Sequence, residues 1–458
     1  MRHQTDIDKM NTNRNLFFMS LPIFVELLLQ LLVGNIDQMM VSRVSQQSVA
    51  SIVNANQIMN LVIIVLSMAS TAATVILSQY LGAEDKANSS RTCMVSILMI
   101  TVVSLLSTLL VFAGYKPLYK ALRVPEEIFD EASLYLLIVG ACITVQGLYL
   151  IFSAIIRAFA MMKEVMIVSI VMNVMNIIGN AILINGWFGM PRLGAVGAAI
   201  STDISKLVGL GLMILLFVKR TNVKLGLRFL KPFPVQIMKK LCLLAVPSGV
   251  ESFSYNMSQM CILGIVNSFG TMVTVTKGYC SIFANLAYVY AMAIASATQI
   301  VLGYLIGAKK IDLIQKRVNA TQKVALAACV GLAVLLFLGS NYIFLIFTDD
   351  PEIIALGRRI LFIEIFLEIG RAVNIVMTKC LIAVGDAVTP TVVGVSFQWG
   401  VAFVGAWVFG IIFDWGLEGV WVAMAIDECL RGLIFAVHFK KERWKKVFRS
   451  VDDWLGFR

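Results

Sequence analysis

Two carboxylates stand inside the first long apolar stretch of the chain, and their spacing suggests ion chemistry. Glu26 and Asp37 are eleven residues apart, close to three turns of an α-helix, so both project from one face about 16 Å apart along the axis. A charged group in such a segment is costly unless it faces a partner or a water-filled cavity. Each carboxylate is therefore a candidate to hold a proton or a hard cation, with hydrogen bonding to neighbouring polar side chains as the alternative role.

A stripe of amide side chains is a candidate partner for Asp37. Asn173, Asn176 and Asn180 are spaced three and four residues apart, so they share one face of a helix. Thr202 adds a hydroxyl in the next apolar run. Amide and hydroxyl oxygens accept hydrogen bonds and can ligate small cations, whereas hydrogen bonding between helices is the alternative role for this stripe.

Ionisable residues recur in the second half of the chain. Glu364 and Glu368 share a helix face, and Arg371 lies one turn beyond Glu368, so we expect an internal ion pair there. Glu251 stands in another apolar run with no charged residue nearby in sequence. It is a candidate for substrate contact or ion coupling.

The composition indicates that these residues lie in a membrane protein. Hydrophobic residues make up 59% of the 458 residues and charged residues only 14%, whereas a soluble domain has about 25% charged residues. The mean hydropathy is +0.86. A soluble fold is therefore excluded.

Twelve apolar runs are each long enough for a tilted membrane-spanning helix. They lie at residues 17–41, 52–81, 94–113, 134–156, 165–184, 195–218, 241–266, 275–306, 324–347, 360–383, 392–413 and 420–437. We therefore predict an all-α polytopic membrane protein with twelve transmembrane helices.

The chain also repeats itself at a spacing of about half its length. One shift carries Pro22 onto Pro247, and the same shift carries Glu26 onto Glu251. A period this long indicates duplication of a whole helix bundle, because solenoid repeats are far shorter. Six spans in each copy give both copies the same orientation, so the pseudo-two-fold axis lies along the membrane normal.

The duplication predicts two six-helix lobes. We expect the amino-terminal lobe over residues 1–225 and the carboxy-terminal lobe over residues 226–458, which begins with a basic, proline-containing linker over 226–240. In a membrane protein, fused copies commonly place a substrate site at the interface between them.

The net charge of +11 is explained by the loops. About 26 of the 38 Lys and Arg residues fall on the side that holds both termini, and about eight fall on the other side. The positive-inside rule then predicts cytoplasmic termini and a multi-pass protein of the cell (inner) membrane. No basic surface interleaved with aromatic residues favours nucleic-acid binding.

Five segments in a fixed order carry a family resemblance. They are GNIDQMMVSRV in the first run, ILSQYLGA at the end of the second, MNIIGNAILI in the fifth, LGAVGAAIST in the sixth and EIGRAVNIVMTKCLIAVGDAVTP in the tenth. Together they resemble the multidrug and toxic compound extrusion (MATE) transporters, and the DinF-like branch most. The resemblance covers nearly the whole chain.

This resemblance implies a cation-coupled antiporter with two six-helix lobes around a central cleft. It puts the coupling carboxylate of the amino-terminal lobe on Asp37, the polar pair of the fifth span on Asn176 and Asn180, and the threonine of the sixth span on Thr202. Some relatives have an aspartate where this chain has Asn180. The lost charge favours a proton on Asp37 over a bound sodium ion.

The second half departs from the sodium-coupled branch of the family. The seventh-span glutamate of that branch falls on Tyr255, and its tenth-span aspartate falls on Arg371. No cation site is therefore transferred to this lobe. Glu26, Glu251, Tyr255, Glu368 and Arg371 are candidates for substrate contact or coupling.

The expected function is secondary active antiport. Organic cations or amphipathic drugs would leave the cell in exchange for H+, or alternatively Na+, by alternating access. We expect no cofactor beyond the coupling ion, a small-molecule substrate and the lipid bilayer as partners, no nucleic acid, and a monomeric protein.

Two other functions are alternatives to antiport. A flippase for a lipid-linked saccharide or lipid precursor is the nearer alternative, and it would need a cationic cleft for pyrophosphate. An intramembrane enzyme is not expected, because the two histidines, His3 and His438, lie near the ends of the chain and no nucleophile or metal constellation accompanies them.

Overall fold

Long helical segments follow one another along the described parts of the chain. The structure, a computed structural model, describes residues 7–42, 45–122, 124–189, 191–221, 223–442 and 444–445, and the side chains at 35–38, 121, 185 and 188 lie outside this description. The segments are α1 Asn13–Ser42, α2 Gln46–Gly82, α3 Lys86–Ala121, α4a Glu126–Ala141 with α4b Ile143–Ala158, α5 Met162–Asn185, α6 Gly194–Arg220, α7 Val235–Asn267, α8 Thr271–Gly307, α9 Asp312–Leu338, α10 Pro351–Ala383, α11 Val388–Ile412 and α12 Gly416–Lys440.

Apolar length separates these segments into two groups. Within the described residues, eight helices are long and apolar enough to cross a membrane, or nine when the bent pair α4a–α4b counts as one span. The other three long helices are α7, α10 and α12, which contain Glu251, Glu364 and Asp427. The predicted all-helical fold is confirmed, with one long segment for each of the twelve predicted runs.

The helix boundaries follow local sequence signals. The side chain of Ser45 accepts a hydrogen bond from the backbone N–H of Ser48 at the start of α2, and Asp85 does the same for Asn88 at the start of α3, as N-cap residues do. The fourth predicted run differs from expectation, because α4a and α4b meet at Cys142 with a bend of 45°.

The duplication is visible in the backbone. Glu84 and Lys309 both adopt left-handed conformations, with φ of 57° and 59°, and the shift that relates Pro22 to Pro247 also relates these two positions. Ala160 and Gly385, which the same shift relates, have φ of 60° and 90°. Left-handed backbone is uncommon at residues other than glycine, so its recurrence at one shift marks equivalent turns in the two copies.

The chain divides into two compact units. One comprises Val25–Ala245, and the other joins the residues up to Phe24 with those from Val246 onward. In the first unit α2 packs against α3, α4a and α4b, and α5 packs against α6. In the second unit α8 packs against α9 and α10, and α10 packs against α12.

The predicted lobe bounds, residues 1–225 and 226–458, stay a prediction. Within the predicted linker 226–240, a short helical turn at Leu227–Leu230 precedes the start of α7 at Val235. The linker is therefore partly helical.

The close crossing of α10 and α12 depends on a glycine, and it provides a test of the packing. A Cβ atom at Gly370 would lie 2.6 Å from the carbonyl carbon of Glu428 and would also meet the backbone of Cys429. Because backbone atoms cannot rotate away, we expect Gly370→Ala to destabilise the protein by about 1–3 kcal/mol and to lower its Tm in a thermal unfolding assay.

The matched control is Gly331→Ala in α9, where a Cβ would meet nothing within 4 Å. It should leave the Tm unchanged or raise it slightly, because alanine favours helix over glycine. Equal Tm values for the two variants would contradict the close crossing.

Candidate functional site

The unit Val25–Ala245 contains a cavity of about 320 Å³. Its described lining comes from α1, α2, α4a and α6 and combines apolar walls with amide and hydroxyl groups. The lining residues are Gln30, Leu31, Gly34, Val41, Val49, Ile52, Asn56, Tyr135, Ala198 and Thr202. A volume in this range suits a small organic ligand.

The predicted polar residues of the fifth and sixth spans lie together beside this cavity. The Asn176 side-chain amide donates to the Thr202 hydroxyl at 3.2 Å, and the Asn180 amide donates to the Asn176 carbonyl oxygen at 3.4 Å. The Ser201 hydroxyl donates to the backbone carbonyl of Asn176 at 3.0 Å. Because Thr202 also lines the cavity, the structure connects the predicted amide stripe to a space large enough for a ligand.

Asp37 lies in α1, but its side chain falls outside the described residues, so its predicted contact with the amide stripe stays a prediction. Its helix position is nevertheless informative. Gly34 and Val41 both line the cavity, and they are three residues before and four residues after position 37. Residues at these spacings share a helix face, so position 37 is on the side of α1 that borders the cavity.

Glu26 forms an ion pair with an arginine that was not predicted from the sequence. Glu26 is 3% exposed, and Nη2 of Arg157 in α4b donates to both of its carboxylate oxygens, at 2.6 and 2.7 Å. Arg157 directly follows the predicted apolar run 134–156, which would put it in a loop, but the last turn of α4b includes it. The only sequence signal for this pair is a basic residue that ends one apolar run and a carboxylate buried in another.

In the second unit, Arg371 is bound by two carboxylates. Its Nη1 donates to Glu364 at 2.8 Å and also to Glu368, so the ion pair expected from their spacing is present. The indole N–H of Trp421 donates to the other oxygen of Glu364 at 2.6 Å. The guanidinium carbon lies 4.9 Å from the ring centre of Tyr288, which adds a cation–π contact.

Arg431 repeats this arrangement on α12. Its Nη2 donates to Asp427 and, at 2.9 Å, to Glu428. The Asn374 side-chain amide on α10 donates to the other oxygen of Glu428 at 2.6 Å. Each of the two arginines is therefore paired with two acidic side chains, and Arg431 is buried whereas Arg371 is half-buried.

Glu251 has a different environment from these paired acids. It accepts a hydrogen bond at 2.9 Å from Nε2 of Gln398, a residue of α11 that the sequence did not mark. Tyr255 lies one turn further along α7 and is 37% exposed. The described residues hold no group of three His, Cys, Asp or Glu side chains arranged for a metal ion.

Comparison with known proteins gives a family match over both halves of the chain. A family model described as MatE matches residues 22–182 and again residues 247–408. The two matches together cover more than half of the chain. The second begins at Pro247, the repeat equivalent of Pro22, where the first begins.

Two full-length relatives extend this similarity. The chain is 34% identical over 430 residues to an uncharacterized transporter, YisQ, of Bacillus subtilis, covering 94% of each protein. It is 24% identical over 438 residues to a probable multidrug resistance protein, NorM, of Thermotoga maritima, covering 94% of this chain and 93% of the relative.

Solved transporter structures share the fold. A variant of the Vibrio cholerae MATE transporter VcmN superposes with a TM-score of 0.89 at 19% identity, covering 99% of this chain and 100% of that one. A MOP superfamily transporter of Pyrococcus furiosus, for which a binding pocket of reverse polarity is described, gives 0.87 at 17% identity, covering 97% and 99%.

The Glu26–Arg157 pair predicts an asymmetric mutational response. Arg157→Ala leaves a buried carboxylate without its cation, so we expect a loss of a few kcal/mol of stability and a clearly lower Tm. Glu26→Gln together with Arg157→Ala removes both charges and should recover most of that loss. A double variant no more stable than Arg157→Ala alone would show that the two residues do not form this pair.

Proposed function

We propose that this chain, which belongs to the MatE family of membrane transporters, is a secondary active antiporter that exports organic cations or amphipathic drugs in exchange for protons. Relatives described as probable multidrug resistance proteins support this substrate class. The observation that carries the proposal is the cavity bordered by the α1 face at position 37 and by Thr202. Assignment to the DinF-like branch stays a prediction.

The cavity lining fits a ligand that carries the positive charge itself. Its described residues include no lysine or arginine, and its polar atoms belong to Gln30, Asn56, Tyr135 and Thr202. Amide and phenol oxygens can accept hydrogen bonds from a cationic ligand, and an aromatic face attracts cations. An ionised Asp37 on this face would supply the counter-charge.

Exchange follows from the charge state of that carboxylate. When Asp37 is ionised, it attracts an organic cation. When a proton enters from outside and binds, the negative charge is removed and the attraction ends. Burial favours the neutral form of a carboxyl group that lacks a cation, so substrate and proton compete for one position, and alternating access carries each across the membrane.

The first helix contains a position at which this exchange could change the conformation of the protein. Residues up to Phe24 belong to one compact unit and those from Val25 to the other, and Pro22 lies just before this division inside α1. A proline within a helix removes one backbone hydrogen bond and permits a kink. We propose that α1 changes direction near Pro22 when Asp37 changes its charge.

The flippase alternative is weakened by the pairing of the arginines. A pyrophosphate ligand would need available guanidinium or ammonium groups. Arg371 and Arg431 are each bound to two carboxylates, and Arg157 is bound to Glu26. These three arginines are therefore already neutralised within the protein.

Asp37→Asn tests the coupling role in proteoliposomes that contain an organic cation. Exchange of one proton for one monovalent cation moves no net charge, so the pH difference alone supplies the energy, and one pH unit supports a substrate gradient of about tenfold. We expect the wild-type protein to build such a gradient from an imposed proton gradient and Asp37→Asn to build none. The exposed carboxylate of Asp312 provides a control, because Asp312→Asn should transport normally.

The same vesicles distinguish the coupling ions. A sodium gradient imposed without a proton gradient should drive no efflux if the proton is the coupling ion. Full activity of Asp37→Asn would remove the proposed mechanism. If neither gradient drives transport of any organic cation, the flippase is favoured.

The proposed topology places both termini in the cytoplasm of a cell-membrane protein that acts as a monomer. A fluorescent protein fused to the carboxy terminus should fluoresce, because it folds in the cytoplasm. Alkaline phosphatase inserted at Asp349, between α9 and α10, should be active because this loop would face the outside. The opposite result at both positions would invert the topology.

A further inference from the structure

The internal repeat allows equivalent carboxylates to be compared directly. It relates Glu26 to Glu251, and it relates the left-handed turns at Ala160 and Gly385 by the same shift. Glu26 has Arg157 as its partner, three residues before the first of these turns. The equivalent position three residues before the second turn is Ile382, which is 6% exposed. The second copy thus keeps the carboxylate and replaces the arginine by an apolar residue.

Among the described residues, no hydrogen bond or ion pair joins Glu251 to a cation, and its hydrogen bond comes from Gln398. Arg431, Glu428 and Lys379 are close enough to interact electrostatically with Glu251, but Arg431 already binds Glu428 and Asp427.

The acidic and basic side chains near Glu251 can also be counted together. The acids of the cluster around Glu251, Arg371 and Arg431 are Glu251, Glu364, Glu368, Asp427 and Glu428, and the bases near them are Arg371, Arg431 and Lys379. Five carboxylates against three cations leave a surplus of two negative charges if every group is ionised. Because uncompensated buried charge is very costly, such groups tend to be neutral.

The contact between Glu251 and Gln398 indicates that Glu251 is a group that carries a proton. Gln398 is 1% exposed, and its Nε2 donates to Glu251 at 2.9 Å. Its other amide atom, Oε1, is buried and has no hydrogen-bond partner among the described residues. This amide oxygen is a hydrogen-bond acceptor, and an ionised carboxylate has no O–H group that could donate to it. A protonated carboxyl group has one O–H donor, so it can complement both atoms of the amide.

The backbone around this contact is specialised for close approach. Gln398 begins a π-helical stretch, Gln398–Phe403, within α11, a feature that is frequent at functional sites. One turn earlier, a Cβ atom at Gly394 would lie 3.0 Å from Cγ of Glu251. The Ser258 hydroxyl donates to the backbone carbonyl of Gln398 at 2.9 Å. Glu251 is therefore packed against α11 at a glycine and fixed beside the amide.

We propose that Glu251, paired with Gln398, is a second exchangeable proton site, located in the carboxy-terminal half of the chain. In the neutral state the carboxyl O–H donates to the amide oxygen while the amide N–H donates to the carboxyl, so two hydrogen bonds join the side chains. On release, the O–H bond breaks, the proton passes to water and the carboxylate keeps the single bond from Nε2. Its use in transport rests on the proposed antiport, but its protonation does not.

The experiment counts protons taken up by the purified full-length protein in detergent. The protein, in unbuffered solution, is brought from about pH 9 to about pH 5, a range in which carboxyl groups with an altered pKa can take up a proton. A pH-indicator dye reports the uptake. We expect Glu251→Gln to take up about one proton fewer than wild type. Glu418→Gln removes a partly exposed carboxylate that pairs with the exposed Arg359 and gives the reference for an acid outside the cluster.

A second variant keeps the carboxylate and restores the partner found in the other half. Ile382→Arg should hold Glu251 ionised as Arg157 holds Glu26, and it should also take up about one proton fewer than wild type over the same range. Retained uptake in both Glu251→Gln and Ile382→Arg would overturn the proposal. Because no substrate is present, this result is independent of whether Asp37 couples transport.

Discussion

Burial of charge inside a membrane protein is the constraint on which this structure depends. An ionised carboxylate in an apolar environment needs a cation, a set of hydrogen-bond donors or a proton. Three arginines meet this need for five acids, through the pairs around Arg157, Arg371 and Arg431. The close crossing of α10 and α12 brings Asn374 to Glu428, so packing and charge pairing stabilise the same part of the fold.

The same constraint separates acids that hold the fold together from acids that can exchange ions. Both carboxylate oxygens of Glu26 accept hydrogen bonds from the Arg157 guanidinium, and loss of either residue leaves the other with an unpaired charge that destabilises the protein. Glu251, its counterpart in the repeat, faces a neutral amide. The repeat thus contains two equivalent carboxylates in different surroundings, one beside a guanidinium and one beside an amide. Fused copies are free to diverge in this way while the backbone of each half stays alike.

Much of the architecture could be predicted from the sequence because it depends on local pattern. Apolar length predicted the helices, and spacings of three and four predicted that Asn176 and Asn180 share a face and that Glu364, Glu368 and Arg371 pair. Contacts between distant segments could not be predicted in this way. Arg157 and Gln398 lie 131 and 147 residues from their carboxylate partners, and neither has a local motif. The cavity also depends on four helices whose packing no single segment specifies.

In the proposed mechanism, the Asp37 carboxylate exchanges a proton for a positively charged substrate. Isothermal titration calorimetry tests it with the lipophilic cation tetraphenylphosphonium and the purified protein, in two buffers that differ in their ionisation enthalpy. If binding expels a proton, as we expect, the observed heat differs between the buffers in proportion to that enthalpy. Binding with the same heat in both buffers would mean that no proton leaves, and it would contradict the proposed exchange.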